Sequence, residues 1–166
     1  MSKRLIFTGI LVIGIIVTVA AMMTNGGKET ASSANIAQEG KGLEWLNYDT
    51  GLKKGLEEKK PIMVTFYADW CSYCRKMDSD TLTNTSIIRY LTGNFVIIKV
   101  NTDKERELSS KYGVMGLPTT WFLKYNGTPI GPLSGYTPPD KFIKVLRYIR
   151  EEHYKSISLK EFLEKV

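Results

Sequence analysis

A cysteine pair at the junction between a predicted strand and a predicted helix constrains this chain more than any other feature. Cys71 and Cys74 are the only two cysteines among 166 residues. The apolar run from Ile62 to Tyr67 precedes them, and its β-branched and aromatic side chains predict a buried strand. No proline or glycine interrupts the segment from Cys71 to Leu82, which predicts a helix. We therefore expect both cysteines on one face of the first helical turn, within easy reach of disulfide distance.

The predicted position of Cys71 at the start of this helix favours its thiolate, which is the reactive form of cysteine. Unpaired N–H groups and the helix dipole place about half a positive charge there. Arg75 and Lys76 add positive charge one turn later, so the pKa of Cys71 is expected to be low. Cys74 lies one turn inside the helix and is expected to be more buried and less ionised. The pattern predicts that Cys71 attacks a disulfide and that Cys74 resolves the mixed disulfide.

Two other uses of a cysteine pair fit these residues less well. A structural disulfide would close a loop of only two residues, which removes little entropy from the unfolded chain. A zinc site needs about four ligands, and the single histidine of the chain, His153, is distant in sequence. We therefore expect redox chemistry, with no metal and no organic cofactor.

Two separate motifs resemble the thioredoxin superfamily in residue type, order and spacing. They run from Ala68 to Lys76 and from Tyr112 to Thr120, inside a resemblance that covers residues 43–152. Exported thioredoxin-like proteins, including the C-terminal domain of the transmembrane thiol:disulfide interchange reductase, are similar to this chain in both motifs. The resemblance implies that Pro118 is a cis-proline facing the dithiol and that the Leu117 backbone pairs with an extended substrate.

The residues around the cysteines carry further expectations. Trp70 and Tyr73 are expected to flank the dithiol and contact substrate, although Trp70 could instead be a packing residue. Typical members of the superfamily carry a buried aspartate six residues before the first cysteine, where this chain has Thr65. Asp78 matches an acidic residue of the interchange domain, and Lys99 matches the strand lysine of the family. Asp78 is therefore expected to be either the proton acceptor for Cys74 or a solvated helix residue.

An uncharged apolar segment begins the chain and predicts export. Lys3 and Arg4 precede 19 uncharged residues, Leu5 to Met23, which as a helix would be about 28 Å long. Positive charge before the segment orients the rest of the chain outside the cytoplasm. The small residues Val19 to Ala21 offer a cleavage site, so a cleaved signal peptide and an uncleaved membrane anchor both remain open.

Composition divides the chain into four parts and excludes one class of partner. Without Lys3 and Arg4, 21 basic residues face 17 acidic ones, a mild and scattered excess that predicts no nucleic-acid binding. The polar segment at 24–42 predicts a flexible linker. The predicted parts are a signal peptide or membrane anchor at 1–23, a linker at 24–42, a thioredoxin-like domain at 43–155 and a short helix at 156–166.

The order of the predicted elements indicates the fold class. A helix with Trp45, Tyr48, Leu52 and Leu56 on its apolar face precedes the first strand and the cysteine helix. A second helical piece, a strand, a charged helix, a hairpin turning at 126–127 and a long helix follow. This order predicts an α/β thioredoxin fold, with a mixed β-sheet covered by helices on both faces.

The sequence thus predicts a thiol:disulfide oxidoreductase acting on disulfides of exported proteins. The family resemblance favours a reductase in the periplasm or another extracytoplasmic compartment, supplied by a membrane electron donor. A disulfide oxidase or isomerase, and a thioredoxin-fold binding module without turnover, are the alternatives.

Overall fold

A four-stranded mixed sheet organises the protein in the computed structural model, which describes residues 42–166. The strands are β1 (Ile62–Tyr67), β2 (Val96–Asn101), β3 (Thr119–Leu123) and β4 (Pro129–Ser134), in the spatial order β2-β1-β3-β4. β1 pairs in parallel with β2 and antiparallel with β3, and β3 pairs antiparallel with β4. The predicted hairpin turn joins the last two strands, with Gly127 at a φ of 81°.

Six α-helices surround the sheet in the described part of the chain. They are α1 (Tyr48–Glu58), α2 (Ser72–Lys76), α3 (Thr85–Asn94), α4 (Arg106–Lys111), α5 (Pro139–Arg150) and α6 (Leu159–Lys165). A π-helical turn, Met77–Thr81, follows α2, and a 3₁₀ turn, His153–Lys155, follows α5. None of the helices in residues 42–166 is long and apolar enough to cross a membrane, and the predicted export segment lies outside the described residues.

Hydrophobic residues of β1 alternate between two cores, one on each face of the sheet. Met63 packs with Phe122 and with apolar side chains of α3, α5 and α6. Ile62, Val64 and Phe66 point the other way, toward side chains of α1 and α4. This alternation is the period of two expected of a strand. The predicted α/β thioredoxin fold, with helices on both faces of a mixed sheet, is confirmed.

The first helix packs on the sheet differently from the prediction. Gly51 and Gly55 form its buried face, whereas Leu56 is 57% exposed. A Cβ atom at Gly55 would lie 2.5 Å from Cδ1 of Ile62, so only glycine permits this close approach. Trp45 lies before the helix, in a segment where Leu46 forms a parallel bridge with β2. The prediction that Trp45 and Leu56 lie on the apolar face of this helix is therefore wrong.

The predicted uninterrupted helix from Cys71 to Leu82 is also wrong in one respect. After α2, the N–H of Leu82 donates to the C=O of Met77 at 3.0 Å, five residues back, as in a π-helix. Met77 and Thr81 are both buried in this turn. The Thr81 hydroxyl donates to the C=O of Thr137 at 2.7 Å, so tertiary contacts favour the wider turn.

Candidate active site

The two cysteines lie where β1 ends and α2 begins, as predicted. Cys71 is the N-cap of α2 and is disulfide-bonded to Cys74, with their Cα atoms 5.2 Å apart. The N–H of Cys74 donates to Sγ of Cys71 at 3.0 Å. An N–H that points at this sulfur stabilises negative charge on it, so the local geometry favours Cys71 as the thiolate when the pair is reduced.

The predicted difference in burial between the cysteines is absent. Cys71 is 5% exposed and Cys74 is 4% exposed. Both pack with Ala68, and Tyr67 and Leu117 cover them, because the closed disulfide holds both sulfurs in one small apolar cluster. What distinguishes them is access: Cys71 lines a surface groove, and Cys74 is not among the residues that line it.

The groove, of about 330 Å³, runs between the cysteine loop and the loop before β3. Residues 70–73 form one side and residues 114–117 form the other. The Leu117–Pro118 peptide bond is cis, as the family resemblance implies. The Gly135 N–H donates to the Pro118 C=O at 2.7 Å, which ties this loop to the end of β4. Within the described residues, neither the N–H nor the C=O of Leu117 forms a hydrogen bond.

Two aromatic side chains stand on the cysteine side of the groove. Trp70 is 69% exposed and Tyr73 is 62% exposed, so neither is a core residue. The Trp70 Nε1–H donates to Oδ2 of Asp103 at 3.0 Å. The Asp103 N–H in turn donates to the side-chain oxygen of Asn101 at 3.0 Å. The loop after β2 therefore holds the indole edge and leaves the ring face accessible.

The two cations predicted to add positive charge near Cys71 have partners of their own. Arg75 donates to the C=O of Asp69 at 2.9 Å. Lys76 lies 3.5 Å from Oδ2 of Asp80 and 5.0 Å from the centroid of the Tyr136 ring. The Ser79 hydroxyl donates to Asp80 and, with Lys76 nearby, holds the pKa of that carboxyl below its usual value.

Asp78 and Lys99 form an ion pair beside the cysteine helix. The Lys99 ammonium donates to both carboxylate oxygens of Asp78, at 3.0 and 2.9 Å. It also lies 4.7 Å from the Tyr67 ring centroid and 5.2 Å from that of Trp45. With its side chain 41% exposed and paired in this way, Asp78 is not a freely solvated helix residue.

Thr65 occupies the position where the family carries a buried aspartate. Its side chain is 3% exposed, and its hydroxyl has no hydrogen-bond partner within the described residues. Lys99 of β2 and Thr120 of β3 are its neighbours across the sheet. The usual place of the acid therefore holds a neutral hydroxyl.

Sequence reasoning did not single out two residues of this site. Asp103 lies 33 residues from Trp70, and only the pairing of β1 with β2 brings them together. Met115 lines the groove opposite Tyr73 and is 97% exposed. Met115 falls within the second family motif, and its sequence signal is an apolar residue in a short loop that contains Gly113 and Gly116.

Comparison with known proteins agrees with this geometry. The family model of the thioredoxin-like domain matches residues 48–150. The thiol:disulfide interchange protein DsbD of Neisseria meningitidis is 34% identical over 99 residues, which are 58% of this chain and 16% of the length of that protein. This chain thus matches only a small part of that relative.

Two solved structures share the fold. A thioredoxin from Thermus thermophilus superposes with a TM-score of 0.61 at 31% identity, over 66% of this chain and 88% of that one. The C-terminal domain of Neisseria meningitidis DsbD in its reduced form superposes with a TM-score of 0.54 at 26% identity, over 61% of this chain and 93% of that one. The chain therefore belongs to the thioredoxin-like family and carries a disulfide-bonded Cys-x-x-Cys pair.

Proposed function

We propose that the protein is a reductase for disulfides of exported proteins, with Cys71 as the nucleophile and Cys74 as the resolving cysteine. The observation that carries the assignment of the two cysteines is their unequal access. Cys71 lines the groove and receives the Cys74 N–H, whereas Cys74 does not line it. A substrate disulfide entering the groove therefore meets Cys71 first.

The proposed reaction consists of two thiol–disulfide exchanges. In the reduced protein, the Cys71 thiolate attacks one sulfur of the substrate disulfide. The substrate S–S bond breaks, its other sulfur leaves as a thiolate, and a mixed disulfide forms. Cys74 then loses its proton and attacks Sγ of Cys71, which releases the second substrate thiolate. The substrate gains two electrons and two protons, and the protein is left with the Cys71–Cys74 disulfide seen in the structure.

Substrate binding is proposed to use both sides of the groove. The free N–H and C=O of Leu117 can pair with the backbone of an extended polypeptide, in the manner of an added β-strand. Pro118 holds this segment opposite the cysteines, and the exposed rings of Trp70 and Tyr73 offer apolar contact. Such a surface fits a polypeptide substrate better than a small thiol.

Asp78 is proposed to accept the proton of Cys74. It lies four residues after Cys74 along the helical segment, the spacing that brings side chains together on a helix. Thr65 offers no ionisable group at the position that the family uses. Lys99 would orient the Asp78 carboxylate through its two hydrogen bonds.

The direction and the compartment rest on relatives and on the sequence. The name of the meningococcal relative describes thiol:disulfide interchange, and solved structures of its C-terminal domain show a reduced and an oxidised form. The uncharged segment 5–23, which lies outside the described residues, supports export. A reductase outside the cytoplasm needs a donor that restores its dithiol, and we propose a membrane reductase for this role.

The redox state of the pair in living cells tests the direction. Acid quenching followed by alkylation with a maleimide polymer separates dithiol from disulfide on a gel, and a reductase is expected to be mainly in the dithiol form. A mainly oxidised pair in growing cells would contradict the reductase assignment and favour an oxidase. Reduction of insulin by the purified full chain with dithiothreitol, compared with a Cys71→Ser control, tests turnover itself.

A further inference from the structure

Exposed apolar side chains concentrate at the groove. Six large hydrophobic side chains are exposed in residues 42–166, namely Leu56, Trp70, Tyr73, Met115, Tyr125 and Val166. Three of them, Trp70, Tyr73 and Met115, line the groove that Cys71 also lines, and we call these three the apolar rim. Solvent-exposed apolar side chains that gather around one concave site mark a binding surface.

Met115 is the most exposed member of the apolar rim, at 97%. Its loop is nevertheless fixed on both sides. The Val114 N–H donates to the C=O of Ser109 at 3.1 Å, and the Thr119 hydroxyl donates to the C=O of Gly116 at 2.7 Å. The backbone thus holds an unbranched, polarisable side chain out over the groove. Methionine is enriched on surfaces that adapt to apolar partners.

None of the residues that line the groove carries a charge. Selection within it must therefore come from shape, apolar contact and hydrogen bonding rather than from ion pairs. A substrate strand that pairs with Leu117 runs past Met115, two residues earlier in the loop. Side chains next to the substrate cysteine then face the apolar rim.

We propose that Met115 is a specificity-determining residue that selects extended polypeptides with an apolar side chain next to the reactive cysteine. This inference rests on the proposed reductase function. Trp70 and Tyr73 contact that side chain from the cysteine side of the groove, and Met115 covers it from the other. Burying one apolar side chain in such a site discriminates by roughly tenfold or more.

Two disulfide-linked fluorogenic peptides test this inference. They are identical except that leucine in one and serine in the other lies next to the cysteine. The full-length protein is reduced, freed of reductant and mixed with each peptide, and the second-order rate constant is measured. We expect a leucine-to-serine rate ratio of about ten for the wild type and about two for Met115→Ser, with Met115→Leu keeping the wild-type ratio.

Leu56→Ser is the control, because it removes another exposed apolar side chain that lies outside the groove. It is expected to keep the wild-type ratio. A wild-type ratio in Met115→Ser would overturn the role of Met115 while leaving the proposed reductase intact. Reduction of neither peptide by the wild type, although its dithiol is titratable, would overturn the proposed function and the inference together.

Discussion

Replacement of Gly55 by alanine tests the close packing of α1 on the sheet. A Cβ at this position would lie 2.5 Å from Cδ1 of Ile62 and 3.2 Å from the backbone oxygen of Tyr125. Ile62 is fully buried and the oxygen belongs to the main chain, so neither neighbour can move aside cheaply. Overpacking of this kind costs about 1–3 kcal/mol. Alanine recovers about 1 kcal/mol of helix propensity, which leaves a predicted net loss of about 0–2 kcal/mol.

The measurement is urea unfolding of the wild type, Gly55→Ala and a control, Gly93→Ala. Gly93 lies in the last turn of α3 and is exposed, and a methyl group added there would meet no atom within 4 Å. Its alanine variant is expected to be more stable than the wild type by about 0.5–1 kcal/mol. A Gly55→Ala protein as stable as Gly93→Ala would refute the packing argument.

A double-mutant cycle separates the overlap from other effects of the substitution. Ile62→Ala removes both side-chain atoms that the new methyl would overlap, and costs about 2–5 kcal/mol by itself. In that background, the penalty of Gly55→Ala is expected to shrink, leaving only the contact with the Tyr125 backbone oxygen. An unchanged penalty there would show that the overlap with Ile62 is not its source.

Two further predictions concern titrating groups. If the Asp78 carboxylate accepts the Cys74 proton, Asp78→Asn should slow resolution of a mixed disulfide about tenfold near pH 6.5. The effect should diminish as the pH rises, because hydroxide then deprotonates the thiol without a carboxylate base, and Asp80→Asn, two residues later, should show neither change. Hydrogen bonds from the hydroxyl and then the N–H of Ser158 hold the pKa of Glu161 below its ordinary value of 4.5. Its contribution to stability is therefore present above pH 4.5 and lost as the pH falls further, so Glu161→Gln should destabilise the protein at pH 7 and progressively less toward pH 3.

Features with a local chemical signal could be predicted from the sequence. The apolar run before Cys71 gave β1 with its observed bounds, and the Asn126-Gly127 pair placed the hairpin turn. The proximity of the cysteine pair to the loop at Pro118 could be predicted, because both segments carry residue types that the family resemblance identifies. Each of these signals lies within a few neighbouring residues.

Features that depend on contacts distant in sequence could not be predicted. Gly51 and Gly55 are buried because α1 contacts the sheet there. The spacing of the large apolar residues in this segment predicted a different buried face. The hydrogen bond from Trp70 to Asp103 exists only after β2 pairs with β1. The equal burial of the cysteines likewise depends on the closed disulfide, against which Tyr67 and the distant Leu117 pack.

Trapping of mixed disulfides tests the central claim most directly. In Cys74→Ala, Cys71 can still attack a substrate disulfide, but no other thiol of the chain can resolve the intermediate. Expressed in its native compartment, this variant is expected to accumulate covalent complexes with exported proteins that disappear on adding dithiothreitol. Cys71→Ala is expected to form few or none, because Cys74 does not line the groove. Absence of complexes with Cys74→Ala, although Cys71 of the folded protein still reacts with an alkylating reagent, would contradict the account.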